Sequence, residues 1–279
     1  MFLRLFFISL MFFPLSHVYA EDTVENRNAV IDELLEVSGG NHMFEQLPAI
    51  INAGMEQNRQ AMDADAFAKL SSAVNEFHTA QAFREQVKES FNKHYDKARF
   101  AAFLEMARSP LALKMTQLEK EALTPESLQK MQGYAATLQK EPPSPARMAL
   151  IEKMDKVTSA TQTGMNTQLQ VVQTMASVID PLLPPERRLK QGQMDDMLWQ
   201  MQLQVRPMME QFTHLSMLYA YRSLPDKELE QYIALYETNT GKGLVDVMNK
   251  AIVSAFATIS QKTAERLKEV MPPPASNGS

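Results

Sequence analysis

The chain has 279 residues, with 28 Lys and Arg against 33 Asp and Glu, a formal net charge of −5 and no cysteine. An acidic chain without a clustered cationic face argues against nucleic acid as a partner, and without cysteine neither a disulfide nor a lipid-modified cysteine can form. Only 9 glycines, 20 methionines and long stretches of Ala, Leu, Met, Gln, Glu and Lys point to helix throughout.

The first twenty residues place Arg4 before an apolar run from Leu5 to Leu15, with Val18 and Ala20 at the −3 and −1 positions of a cleavage site. The run is shorter than the ~20 apolar residues of a spanning helix and is interrupted by Pro14. The expectation is an export signal cleaved after Ala20, leaving a periplasmic chain without a transmembrane anchor. Loss of Arg4 leaves 27 cationic against 33 acidic side chains, a net charge of −6.

Helical spacing then recurs along the chain. Val30, Leu34 and Val37 mark a short helix stopped by Gly39-Gly40. Met43, Leu47, Ile50, Ile51 and Met55 mark a second over about 43–61, in which Pro48 belongs in the first turn. A single third helix is expected over 63–92, followed by one over 96–108. Ser109-Pro110 and Thr124-Pro125 each read as an N-cap with proline at the first helical position, opening helices to about Leu123 and Gln139. Glu141 to Pro145 reads as a linker. Beyond it, Met148, Ile151, Met154 and Val157 resume the period, with a break over 158–164, and Leu169 to Ile179 carry it to a turn at Asp180 to Pro185. A long helix is expected over 186–222, kinked at Pro207. The stretch Ser223 to Phe256 reads as a helical hairpin, with Ser223 and Asp226 forming a capping box and Gly241 reversing the backbone. A disordered tail is expected over 271–279.

Self-similarity gives an organisation. Ala29 to Gly40 parallels Ala149 to Ala160 at an offset of 120, and Phe103 to Met115 parallels Ile233 to Val245 at an offset of 130. This implies two degenerate copies of one helical unit, 21–140 and 146–270, joined by the linker at 141–145, each built of antiparallel hairpins.

The hairpin carries a wider pattern: Pro225-Asp226, Glu228-Leu229, Tyr232 to Tyr236, Thr238 to Thr240, Gly241-Lys242 and Leu244-Val245. Over Tyr219 to Lys268 it resembles the bacterial, mostly exported domain-of-unknown-function family numbered 2059 (DUF2059). The resemblance implies an all-helical exported domain and brings no reaction with it. The first copy departs from the pattern, with Pro110-Leu111 at the places of Thr240-Gly241 and Met106 at a tyrosine.

Asn239 to Gly243 lacks the first glycine and the hydroxyl residue of a phosphate loop, and it follows a helix where a phosphate loop follows a strand. Met194, Met197 and Met201, with Met208, Met209, His214 and Met217 beyond, have the softness to ligate Cu(I) or to line a groove for an apolar ligand. Core filling at helical spacing is the simpler reading. His42, His78, His94 and His214 have no metal-ligand spacing, no nucleophile motif is present, and no cofactor is implied. Tyr232, Tyr236 and Lys242 form the candidate interaction face, against a simpler reading as an aromatic core. The functional expectation is a non-enzymatic module that binds a protein or a small apolar ligand. The alternatives are an enzyme with its site in the groove between the two units, or a methionine-rich copper or apolar-ligand binder. The oligomeric state is left open.

Overall fold

A computed structural model describes residues 23–270 apart from 58, 62, 181–185, 187 and 191. The expected leader, most of the turn after Asp180 and the expected tail lie outside the described residues. Among those described are twelve α-helices, one 3-10 turn at Arg59–Ala61 and no strand, which makes the fold all-α.

The chain opens with α1 (Val24–Val37) and α2 (Gly40–Gln57). Pro48 lies in the middle of α2 rather than in its first turn. Burial of Phe44, with Leu47 and Ile51 packed on the same core, holds the helix together despite the lost backbone bond. The single helix expected over 63–92 is two, α3 (Ala64–Phe77) and α4 (Ala80–Lys93). His78 leaves helical geometry and the Thr79 hydroxyl accepts from the backbone of Ala82 at 3.1 Å, a cap that interrupts a continuous apolar pattern.

Next come α5 (Lys97–Ala107), α6 (Pro110–Ala122), α7 (Pro125–Lys140) and α8 (Pro145–Thr158). Ser109, Thr124 and Ser144 each cap a helix that begins on proline. Ser144-Pro145 therefore starts α8, so the linker is shorter than its prolines suggest. Ser159 at φ 53° breaks the chain between α8 and α9 (Ala160–Ile179). The long helix that follows, α10 (Gln193–Ala220), begins seven residues later than expected. Gly192 at φ 83° is left-handed, and the Asp180 carboxylate accepts from the backbone of Leu189 at 2.6 Å, holding the preceding segment off the helix. The helix continues through Pro207.

The last two helices are α11 (Asp226–Glu237) and α12 (Asn239–Val270). Ser223 does not cap α11: Pro225 occupies that position, and the Asp226 carboxylate accepts from Arg147 at 2.9 Å instead. The largely buried Arg147 also donates to the carbonyls of Leu224 and Tyr221, pinning α8 to the turn between α10 and α11. Charge-assisted bonds of this kind are stronger than neutral ones.

Two apolar cores organise the helices. The first gathers Ile31, Leu34, Leu35, Phe44, Phe83, Val87, Phe91, Phe100 and Phe103 around Leu244, Val247, Ala251, Ala255 and Ile259 of α12. Each fully buried side chain of this size contributes about 1.5–3 kcal/mol. The second joins Ala112 and Met115 of α6 to Ile151, Met154, Leu218, Tyr221, Leu229, Tyr232 and Ile233. The packing therefore does not divide at 141–145: α6 enters the core of the later helices and α12 enters the core of the earlier ones. Nor do α11 and α12 form a simple hairpin, because their buried faces go to different cores. In length and composition α12 also meets the measure of a membrane span; here its apolar face supplies the first core.

Equivalent positions recur. Gly39 and Ser159, 120 apart, are both left-handed, and α2 and α9 each begin on the next residue. Ile31 and Leu34 are buried as are Ile151 and Met154. Asp96 and Pro225, 129 apart, cap α5 and α11, and Phe100, Phe103 and Leu104 are buried as are Leu229, Tyr232 and Ile233. Ser109 accepts from the backbone of Ala112 as Thr238 does from that of Gly241, again 129 apart. The structural register of this segment is thus 129 rather than 130, so Ala112, not Leu111, corresponds to Gly241.

Candidate ligand groove

Ser159 turns the chain so that α8 packs beside α11 while α9 packs along α12. An open groove of about 1240 Å³ lies between these pairs. Its apolar surface comes from Ala149, Val157, Val245, Val253 and Ala257, and one wall carries Gln162, Thr163, Asn166 and Gln170 of α9. Lys153 pairs with Glu237 at 3.0 Å within the α8–α11 pair, and one contact crosses the groove: the Asn249 amide donates to the carbonyl of Thr158 at 3.0 Å, closing the end of α8 from α12. On the rim Lys250 pairs with Asp246 at 2.9 Å. Lys156 and Lys242 also line the groove and have no ion pair or side-chain hydrogen bond among the described residues.

Of the three residues of the candidate interaction face, Tyr236 and Lys242 line this groove. Tyr232 is only 2% exposed and belongs to the second core. Behind the groove its hydroxyl lies 2.9 Å from that of Tyr236 and donates at 3.1 Å to the carboxylate of Glu119, which also accepts from Tyr221 at 2.5 Å. With the Tyr232 hydrogen directed at Glu119, the Tyr236 hydroxyl is the donor of its bond to Tyr232. Burial raises the Glu119 pKa above the ordinary carboxyl value, and the two tyrosine hydroxyls pull it partly back. Burial, and then the Glu119 charge, push Tyr221, Tyr232 and Tyr236 upward. The cluster fastens α6 to α10 and α11, and raised tyrosine values make these phenols poor acids. A cavity of about 30 Å³ beside Tyr232 and Tyr236 has room for water.

Sequence reasoning missed Glu119. It lies among lysines on α6, where a carboxylate reads as solvated, and only the fold brings it to the tyrosines. His214 was visible as one of the histidines, but its partner was not. Its Nε2 lies 3.3 Å from Asp155, whose carboxylate also accepts from the backbone and hydroxyl of Thr161 at 2.8 and 2.6 Å, capping the start of α9. This acid-histidine pair and the Glu119 cluster share no residue.

The expectation that Met194, Met197 and Met201 fill a core is corrected. None belongs to either core, and Met197 is 37% exposed. The first half of α10 runs beyond the second core and lies along α9, with Arg206 donating to Gln162 at 2.8 Å and Met209 touching Gly164.

The fold and groove thus define an all-α protein with a large open cleft. No protein-family model, curated protein or solved structure matches the chain, so the family resemblance rests on the motif residues of the hairpin.

Proposed function

We propose that the protein is exported and acts as a non-enzymatic binding module whose groove holds a polypeptide segment carrying acidic side chains. The observation that carries this reading is the groove itself. Its volume exceeds the ~300–1,000 Å³ of small-molecule sites, an apolar floor lies beside an amide-rich wall able to satisfy a bound backbone, and Lys156 and Lys242 are free to pair with carboxylates. The matching positions of α1 with α8 and of α5 with α11 support descent from two copies of one helical unit, with α6 packed in the second core and α12 in the first. The leader motif and the resemblance to the exported family support a periplasmic location.

Two measurements test this. The N-terminus of the exported protein is expected to be Glu21, and retention of the leader would overturn export by cleavage. For the groove, fluorescence anisotropy compares an amphipathic peptide of Glu and Leu with its Lys and Leu counterpart. The acidic peptide is expected to bind, more weakly at high salt, with at least a tenfold loss of affinity in the variant carrying Lys156→Glu and Lys242→Glu. Equal binding of both peptides, or binding untouched by the two substitutions, would refute the reading.

A further inference from the structure

A second surface lies away from the groove. Over 197–212, α10 leaves Met197, Trp199, Leu203, Met208 and Phe212 between 37% and 68% exposed, although none is polar. Together they expose roughly 500 Å² of apolar surface, in the upper part of the ~300–600 Å² range of the largest apolar patch on a monomer. At 100° per residue Trp199 and Leu203 lie on one edge of the exposed arc, and Met197, Met208 and Phe212 on the other. Between them run Gln200, Gln204 and Gln211, all exposed.

We propose that this face is the interface between two copies of the chain, related by a two-fold axis. Three observations select a second copy. Covering the patch from both sides, with its rim, buries about 1,200 Å², the lower end of the range for specific interfaces. The run Met197 to Val205 contains no charged residue, and neither does the whole of α9 against which α10 lies; the exposed charges further along the patch, Arg206 and Glu210, are of opposite sign. For a chain with a formal net charge of −5, this is a face on which two copies meet few like charges. The glutamine strip is also complementary to itself, since each amide offers both a donor and an acceptor, as an isologous contact requires. Asp195 and Asp196 border the patch at the start of α10 and disfavour an anionic lipid surface as the occupant.

Trp199 is the chain's one tryptophan, so its emission reports on this face directly. Sedimentation velocity and tryptophan fluorescence are measured on the purified processed protein over about three decades of concentration, a span that covers ordinary interface affinities. The expected result is a monomer–dimer transition accompanied by a blue shift of Trp199. Phe212→Glu, which keeps the reporter, is expected to weaken the dimer at least tenfold with unchanged far-ultraviolet circular dichroism, since Phe212 is exposed in the monomer. Three results would each overturn the proposal: a monomer throughout with constant emission, a dimer indifferent to Phe212→Glu, or a blue shift that appears only on adding phosphatidylcholine vesicles. The last would assign the face to lipid.

Discussion

Replacing Gly241 with Ala is expected to destabilise the protein by about 3 kcal/mol or more, which for a chain of this size lowers Tm by roughly 6–12 °C. A Cβ built at Gly241 would lie 2.2 Å from the Leu235 carbonyl oxygen and 2.5 Å from the Tyr236 Cα. Both are backbone atoms of α11, so no side-chain rotation relieves the contact. Gly241 sits in the first turn of α12, and its φ is not left-handed. Its role is close approach, not reversal of the chain.

The corresponding residue of the earlier corner, Ala112, carries a Cβ without difficulty. Two residues separate α5 from α6, whereas Thr238 alone separates α11 from α12, and the tighter corner brings the helices nearer. Gly133→Ala is the control. That position is helical with open space around it, so the same substitution should be neutral or stabilising by about 0.5–1 kcal/mol. Thermal unfolding of the two variants checks the pair. Equal Tm values would mean that the α11–α12 corner is not as tight as described.

The Glu119 cluster gives the second large effect, and its sign depends on pH. Glu119→Ala removes the acceptor of two buried phenols, Tyr221 and Tyr232, at an expected cost of about 2–4 kcal/mol. Glu119→Gln keeps one acceptor oxygen and should cost less. Because burial raises the folded-state pKa of Glu119 above its unfolded value, its proton stabilises the fold fully below the unfolded pKa. That contribution is lost as pH rises through the folded pKa. The wild-type advantage over Glu119→Gln should therefore be largest near pH 4 and shrink towards pH 8. Urea unfolding of both proteins across that range measures it. A gap that stays constant, or widens with pH, would contradict a raised carboxyl pKa at this position.

These two sites differ in how far the sequence announces them. Gly241 lies within a motif visible in the chain, but its reason is not. A glycine between two apolar helical patterns reads as a turn, and only the distance to the Leu235 carbonyl shows that space, not φ, is the constraint. Glu119 announces nothing, because one carboxylate on a lysine-rich helix looks like every other. Tyr232 and Tyr236 were legible as an aromatic face at helical spacing. That Tyr232 faces the second core while Tyr236 and Lys242 border the groove depends on which helix packs beside α11.

Helical periodicity, proline at the first helical position and hydroxyl caps are local properties of a few consecutive residues. By itself the sequence therefore determined the all-α class, the caps at Ser109 and Thr124, and the break between α8 and α9. The division of 63–92 at Thr79 is itself a local hydroxyl cap, hidden in a continuous apolar pattern, whereas the persistence of α2 through Pro48 and the exposure of the α10 methionines were decided by tertiary structure. So was the passage of α6 and α12 into cores built largely by the other part of the chain. An apolar stripe records that a face prefers to be covered and carries no record of what covers it; that choice belongs to contacts between residues far apart in the chain.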